Sequence, residues 1–431
     1  MALSEAQLKE IEGTLFLFRT PPPVLPRPNN TDDGTSPTHF TTRLKPVATN
    51  PRFVDISFGV VDFTADRMNP KVFLHKADTV WRMGSTGKIA ALLAAAQLRD
   101  DVRKVKKKLD DLSLVLSPTQ LDDLFATIWS RSKELRVRQI AGKDGSPRVS
   151  TIFDLSKPDP DFIGAPTIQK SLSRVDYPDP KTPAVPRDPW QEITKISFQD
   201  RLWLMGAQSD NTSAHSCISE IGVAYLKAVE KAYGLFLDDA KKGMRMLLGG
   251  GYFEDSPTTP VSTAPGAPKY RTLRNYEKQW VKDEYADPVD PHLSWQGGSV
   301  RALTAYMIAL IQDKLVDADG CVQIKKCLAD GLPPPAGFPD TLPGSLLQGV
   351  QDTGVKIVEA HGKGGALSPK QGAKRPLRCD VAHIKTGGSA PREFAIVAQG
   401  LLPFGSEPVT IDPDDQGRDL AKAIHAALIA P

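Results

Sequence analysis

The chain is short of cysteine, with four in 431 residues: Cys217, Cys321, Cys327 and Cys379. Four are too few for a disulfide scaffold, and their spacing matches no zinc signature. They read as buried thiols, although Cys321 and Cys327 could pair if they lay in a loop. No window reaches the ~18 apolar residues of a membrane-spanning helix. Net charge is also scarce: +3 at this length gives no argument for nucleic acid or a membrane surface. Met1 to Glu12 has no apolar segment after a basic start, so no signal peptide is expected. That fits a cytoplasmic protein, or a secreted or periplasmic one with its leader removed. No cofactor and no metal are expected, and the partner left open is a small-molecule or peptide substrate. The number of subunits is not fixed.

Proline, by contrast, is plentiful. The 37 prolines exceed an average usage of ~5% and predict long ordered loops. At ~100–200 residues per domain, the length suggests two packed domains or one two-lobed unit.

One stretch organises the rest. Trp81-Arg-Met-Gly-Ser-Thr-Gly-Lys88 runs straight into the apolar Ile89–Leu98. Ser85 and Lys88, three apart, share one face of a first helical turn. A hydroxyl becomes a nucleophile when a base stands beside it, and an amine whose charge is suppressed can be that base. The helix start adds unpaired N–H groups and a positive dipole end, which suit a developing oxyanion. Ile89–Leu98 is apolar nearly all round, as in a buried central helix.

Along the chain, Ser4–Gln7 looks like a capping box opening a first helix, with Leu8, Ile11, Leu15 and Phe18 as its stripe. Residues 21–50, rich in proline and turn formers, read as an extended arm. Val54–Phe63 and Val72–His75 read as strands. The basic run Lys104–Lys108 reads as a solvated face, and Pro118–Trp129 as an amphipathic helix. Residues 131–194 read as a proline-rich insertion. Phe198–Ala207, a segment opening at Thr212, Ser299–Leu315 and Asp415–Ile429 read as helices. Ser256–Pro291 reads as loop-rich. Val381–Gly388 and Phe394–Gly400 read as an antiparallel strand pair. The fold class expected is mixed α/β (α+β): an antiparallel sheet from the N- and C-terminal segments, flanked by helices, with a mostly helical lobe between. The catalytic unit would comprise residues 51–130 and 195–431, with the site between sheet lobe (51–80 and 380–431) and helical lobe.

Three short motifs occur in order: Ser85-x-x-Lys88, Ser209-Asp-Asn211 and Lys385-Thr-Gly387. Ser130-Arg-Ser-Lys133 is a second serine-to-lysine pair, without a strand before it or an apolar helix behind it. The three motifs in this order and context resemble the serine β-lactamase and penicillin-binding-protein superfamily. The resemblance covers residues 52–130 and 195–430. It implies Ser85 as acyl-accepting nucleophile and Lys88 as its base. Ser209 would relay a proton to the leaving group, and Asn211 would hold the substrate amide. Lys385 and Thr386 would bind a substrate carboxylate, and Gly387 would leave room for the substrate backbone. The oxyanion hole would be the N–H groups of Ser85 and Gly388.

One departure bears on turnover. Class A enzymes carry a glutamate followed four residues on by asparagine, which positions the deacylating water. Glu277 is followed by Val281 and Glu284 by Pro288, so rapid deacylation of that type is not expected. The expected activity is a serine hydrolase acting on β-lactams, D-amino-acid peptides or related carboxylate-bearing acyl compounds. A transpeptidase, or a penicillin-binding sensor that turns over slowly or not at all, stays open as the alternative. His383 reads as a packed or hydrogen-bonded histidine and Arg392 as a solvated turn residue.

Overall fold

The computed structural model describes residues 3–19, 24–132, 147, 149–164, 197–207, 209, 211–235, 297–328, 344–367, 377–401 and 416–430. Most of the proline-rich insertion, the loop-rich 256–291 stretch, Lys133, Glu277 and Glu284 lie outside them.

A five-stranded antiparallel sheet forms the centre, in the order β2-β1-β7-β6-β5. Its strands are β1 (Ser57–Asp62), β2 (Lys71–His75), β5 (Ile357–Leu367), β6 (Leu377–Thr386) and β7 (Glu393–Leu401). β3 (Val80–Arg82) and β4 (Gly297–Ser299) pair separately. Alternation along the strands builds two cores. Val61, Val381, Ala395 and Val397 face one apolar cluster, while Val60, Ala382, Ile384 and Ile396 face the other.

The first cluster is shared with the central helix α1 (Lys88–Asp111), buried throughout from Lys88 to Arg99. A 3-10 turn, Gly84–Gly87, leads into it. Around α1 lie α2 (Pro118–Arg131), α3 (Phe198–Ala207), α4 (Asn211–Ile221), α5 (Val223–Ala232), α6 (Val300–Ile311) and α7 (Ala318–Cys327). The second cluster is covered by α8 (Phe40–Thr49), α9 (Gly344–Gln351) and α10 (Gln416–Ile429). The mixed α/β class with an antiparallel sheet is as the sequence suggested. No described helix is long and apolar enough to cross a membrane.

Two expectations are corrected. The arm over 21–50 contains α8, because Phe40, Leu44 and Val47 recur at helical spacing and pack under the sheet, despite Pro46 inside the helix. The first helix stops at Glu12, and Phe16–Phe18 is a separate 3-10 turn. β5 was not anticipated at all, although it forms an edge of the sheet. Cys321 and Cys327 stand on α7 as free thiols, and burial pushes Cys327 up to about 12.

Candidate functional site

The candidate nucleophile stands where the fold is most tightly determined. Ser85 is half-buried on the 3-10 turn, and Lys88 begins α1 directly after it. The neighbouring Thr86 is buried and donates to the Cys379 carbonyl on β6 at 2.6 Å. β5 closes on the same turn at Gly365. A Cβ there would come within 2.1 Å of the Met83 carbonyl oxygen and 2.6 Å of the Thr86 nitrogen, both backbone atoms. Only glycine permits that approach.

Ser209 connects α3 to α4. Its φ of +56° is left-handed, a conformation that costs a residue with a Cβ and recurs at functional sites. Two buried ammonium groups reach it. Lys88 Nζ donates to the Ser209 carbonyl at 2.5 Å and to its hydroxyl at 3.4 Å. Lys363 Nζ, from β5, donates to the same hydroxyl at 2.7 Å and to the Gly364 carbonyl at 2.9 Å. Both lysines are 0% exposed. Asn211 opens α4, two residues beyond Ser209.

Lys363, and not Lys385, is therefore the strand lysine that meets Ser209. The reason is topological. β5 is the edge strand against the 3-10 turn, and β6 is one strand further in. Lys385 lies six residues beyond Cys379, the β6 residue nearest the turn. At ~3.3 Å per residue that is ~20 Å along the strand, far more than a lysine side chain spans. Its ammonium instead bonds Glu359 Oε2 at 2.6 Å and lies 3.9 Å from Glu393 Oε1. Thr386, Gly387 and Gly388 stand further along still, at the β6–β7 turn. Thr386 Oγ1 accepts from the Arg392 N–H at 3.0 Å, and the Gly387 N–H donates to the Lys356 carbonyl at 2.8 Å. Gly388, with φ +107°, is exposed. The Lys-Thr-Gly triplet thus finishes a hairpin remote from Ser85, and the strand motif at the site is Lys363-Gly364-Gly365.

The sequence reading missed Lys363. The usable signal was a period of two, Glu359-x-His361-x-Lys363, which puts three titratable groups on one strand face. Burial pushes the Glu359 carboxyl up, but the bonds from Lys385 and His361 outweigh it and hold it at about 2. His383 is buried and bonds Glu393 at 3.0 Å; burial holds its ring below the usual histidine range despite that carboxylate. Arg392 pairs with Asp62 at 3.7 Å.

No family model matches the chain, and no curated protein does. Solved structures that align with it include a class A beta-lactamase from Mycobacterium abscessus, over 90% of this chain and 98% of that one, at 14% identity and a TM-score of 0.39. A beta-lactamase from Desulfarculus baarsii aligns over 92% and 100%, at 15% identity and 0.42. One from Sphaerobacter thermophilus aligns over 92% and 97%, at 11% and 0.36. At such scores the case for chemistry rests on the side chains.

Proposed function

We propose that the chain is a serine hydrolase with a β-lactamase-like fold, working through an acyl-enzyme on Ser85. One observation carries this reading: Lys88 and Lys363, both buried, converge on Ser209 beside the turn that holds Ser85. Burial and a neighbouring like charge both disfavour an ammonium ion. On this reading one of the two amines serves as the proton acceptor, and Lys88, three residues from Ser85, is the candidate.

In the reaction, Ser85 Oγ bonds to the acyl carbon while its proton passes to the Lys88 amine. The carbon–nitrogen bond of the substrate then breaks, and the proton travels through Ser209 to the leaving nitrogen. Water cleaves the ester, releases the acid and restores the hydroxyl. Lys363 stays protonated and attracts a substrate carboxylate, the role first given to Lys385. Asn211 holds the substrate amide. The oxyanion hole comprises the Ser85 N–H and an outward N–H of β5 beside Gly365, since edge strands offer unpaired donors. Gly388 is too distant for that part. Substrates are β-lactams, D-amino-acid peptides or related acyl compounds that bear a carboxylate.

The test is incubation with a fluorescent penicillin followed by intact mass. Wild type gains the mass of the acyl group and Ser85→Ala does not. With no Glu-x-x-x-Asn pair before β5, the adduct is expected to persist rather than clear quickly. A wild-type protein that forms no adduct, and turns over neither a chromogenic β-lactam nor an ester, removes the reading.

A further inference from the structure

We propose that the sheet carries a divalent-cation site of zinc type, formed by His361, His383 and Glu359. His361 and His383 face each other directly across β5 and β6. Their rings are parallel to within 5°, with centroids 5.7 Å apart. Glu359 is two residues from His361 and so shares its strand face. One ligand atom from each of the three lies within 4.8 Å of the others. Two imidazoles and one carboxylate suit zinc and similar first-row ions, whereas calcium and magnesium favour all-oxygen sets.

One separation is already close to that of a loaded site, and the ligand atom of His383, within 4.8 Å of the other two, would close in. Glu359 Oε1 and His361 Nε2 stand 2.9 Å apart. Two ligands of a tetrahedral zinc, each at ~2.0–2.1 Å, stand ~3.3 Å apart. The ion would displace the proton these two atoms share, and the two parallel rings would turn so that both ring planes meet at it. His383 is oriented as a ligand from behind. Its Nε2 bonds Glu393 Oε1 at 3.0 Å, the carboxylate-behind-histidine arrangement that fixes a ligating ring. With the proton on Nε2, Nδ1 carries the lone pair. Nδ1 is buried and has no hydrogen-bond partner among the described residues. Leaving such an acceptor unsatisfied is costly, and a cation would satisfy it.

Lys385 explains how the same residues hold together without an ion. Its ammonium on Glu359 Oε2 is a built-in counter-charge. Lys385 and Glu359 are 30% and 39% exposed at their side chains, so the lysine can swing out and leave a way in. A bound ion would clamp β5 to β6 two residues from Lys363 and steady the edge strand. A purely structural polar ladder would use the same side chains, but it would respond differently to loss of Lys385.

The experiment uses the full chain, stripped with a chelator and dialysed. ZnCl2 is titrated by calorimetry, and CoCl2 is followed by visible absorption. We expect one ion per chain and a cobalt d–d band. Lys385→Met removes the competing charge and should tighten zinc binding ~10-fold. Glu393→Gln should weaken it ~10–100-fold, and His383→Ala should abolish the cobalt band. Absence of saturable one-to-one binding in wild type, or unchanged binding in His383→Ala, overturns the proposal. If His383→Ala does not fold, the half-exposed Lys385→Met decides: zinc affinity equal to or below wild type overturns it. Acylation of Ser85 is not part of the readout, so failure here leaves the hydrolase reading untouched.

Discussion

The ammonium of Lys363 stands 2.7 Å from the hydroxyl of Ser209, across 154 residues of chain. That contact joins the edge strand to the loop between two helices of the other lobe. If it serves the acyl transfer, Lys363→Met should slow adduct formation with a fluorescent penicillin by ~10²-fold or more, as for loss of a preorganised charge. Lys385→Met should stay near the wild-type rate, because its ammonium is engaged with Glu359. Equal losses in the two variants, read as second-order acylation rates, would reject the assignment.

Ser209 combines a strained backbone with the hydroxyl proposed to relay a proton, and two substitutions separate them. Its φ of +56° costs a residue with a Cβ ~1–2 kcal/mol. Ser209→Gly should therefore be more stable than Ser209→Ala by about 1 kcal/mol, after allowance for the freer unfolded chain of glycine. Both should lose acylation by ~10²–10⁴-fold, since neither can relay a proton. Urea midpoints check the first expectation and intact mass the second.

Asp101 offers a pH-dependent test of the core. It is buried on α1, where it accepts from the Phe16 N–H at 2.9 Å, the Tyr225 hydroxyl at 2.9 Å and Gln97 Nε2 at 3.2 Å. Burial pushes its carboxyl up to about 7, against an ordinary value of 3.8, even though the Phe16 bond pulls the other way. The folded state thus holds a proton that the unfolded chain releases. Its stabilising contribution is complete below pH 3.8 and is lost as pH rises through 7. Asp101→Asn keeps the shape and removes the titration. Relative to wild type it should gain stability between pH 4 and 7, by an amount on the order of a few kcal/mol. Parallel curves for the two proteins across that range, by urea denaturation, would count against a protonated Asp101.

Much of the framework could be read from residue order alone. Ser85 and Lys88 are legible because a small-residue turn is followed by Ile89–Leu98, apolar but for Gln97, and nothing else in the chain has that form. Strands β1, β2, β6 and β7 carry apolar, β-branched or aromatic runs that can be seen. β5 does not, because Gly362, Gly364 and Gly365 lower its strand propensity and Glu359 and Lys363 read as surface. Gly365 is the price of lying against another backbone, a tertiary fact that no local pattern encodes. With β5 invisible, Lys385-Thr-Gly387 on the neighbouring strand was the triplet in view, whereas the strand lysine that bonds Ser209 is Lys363. Helix α8 was hidden for a simpler reason. Pro46 and the turn formers before it mask a short apolar stripe whose burial comes from residues at the far end of the chain.

Thr86 donates to a carbonyl that follows it by 293 residues. During synthesis the turn that carries Ser85 emerges long before the strand that seals it. Until β5 and β6 leave the ribosome, the hydroxyl at 85 has no wall beside it and Ser209 lacks its second ammonium. Truncated translation products should therefore be chemically silent. Closure over so large a sequence separation also marks completion of the sheet as a slow, late event in folding.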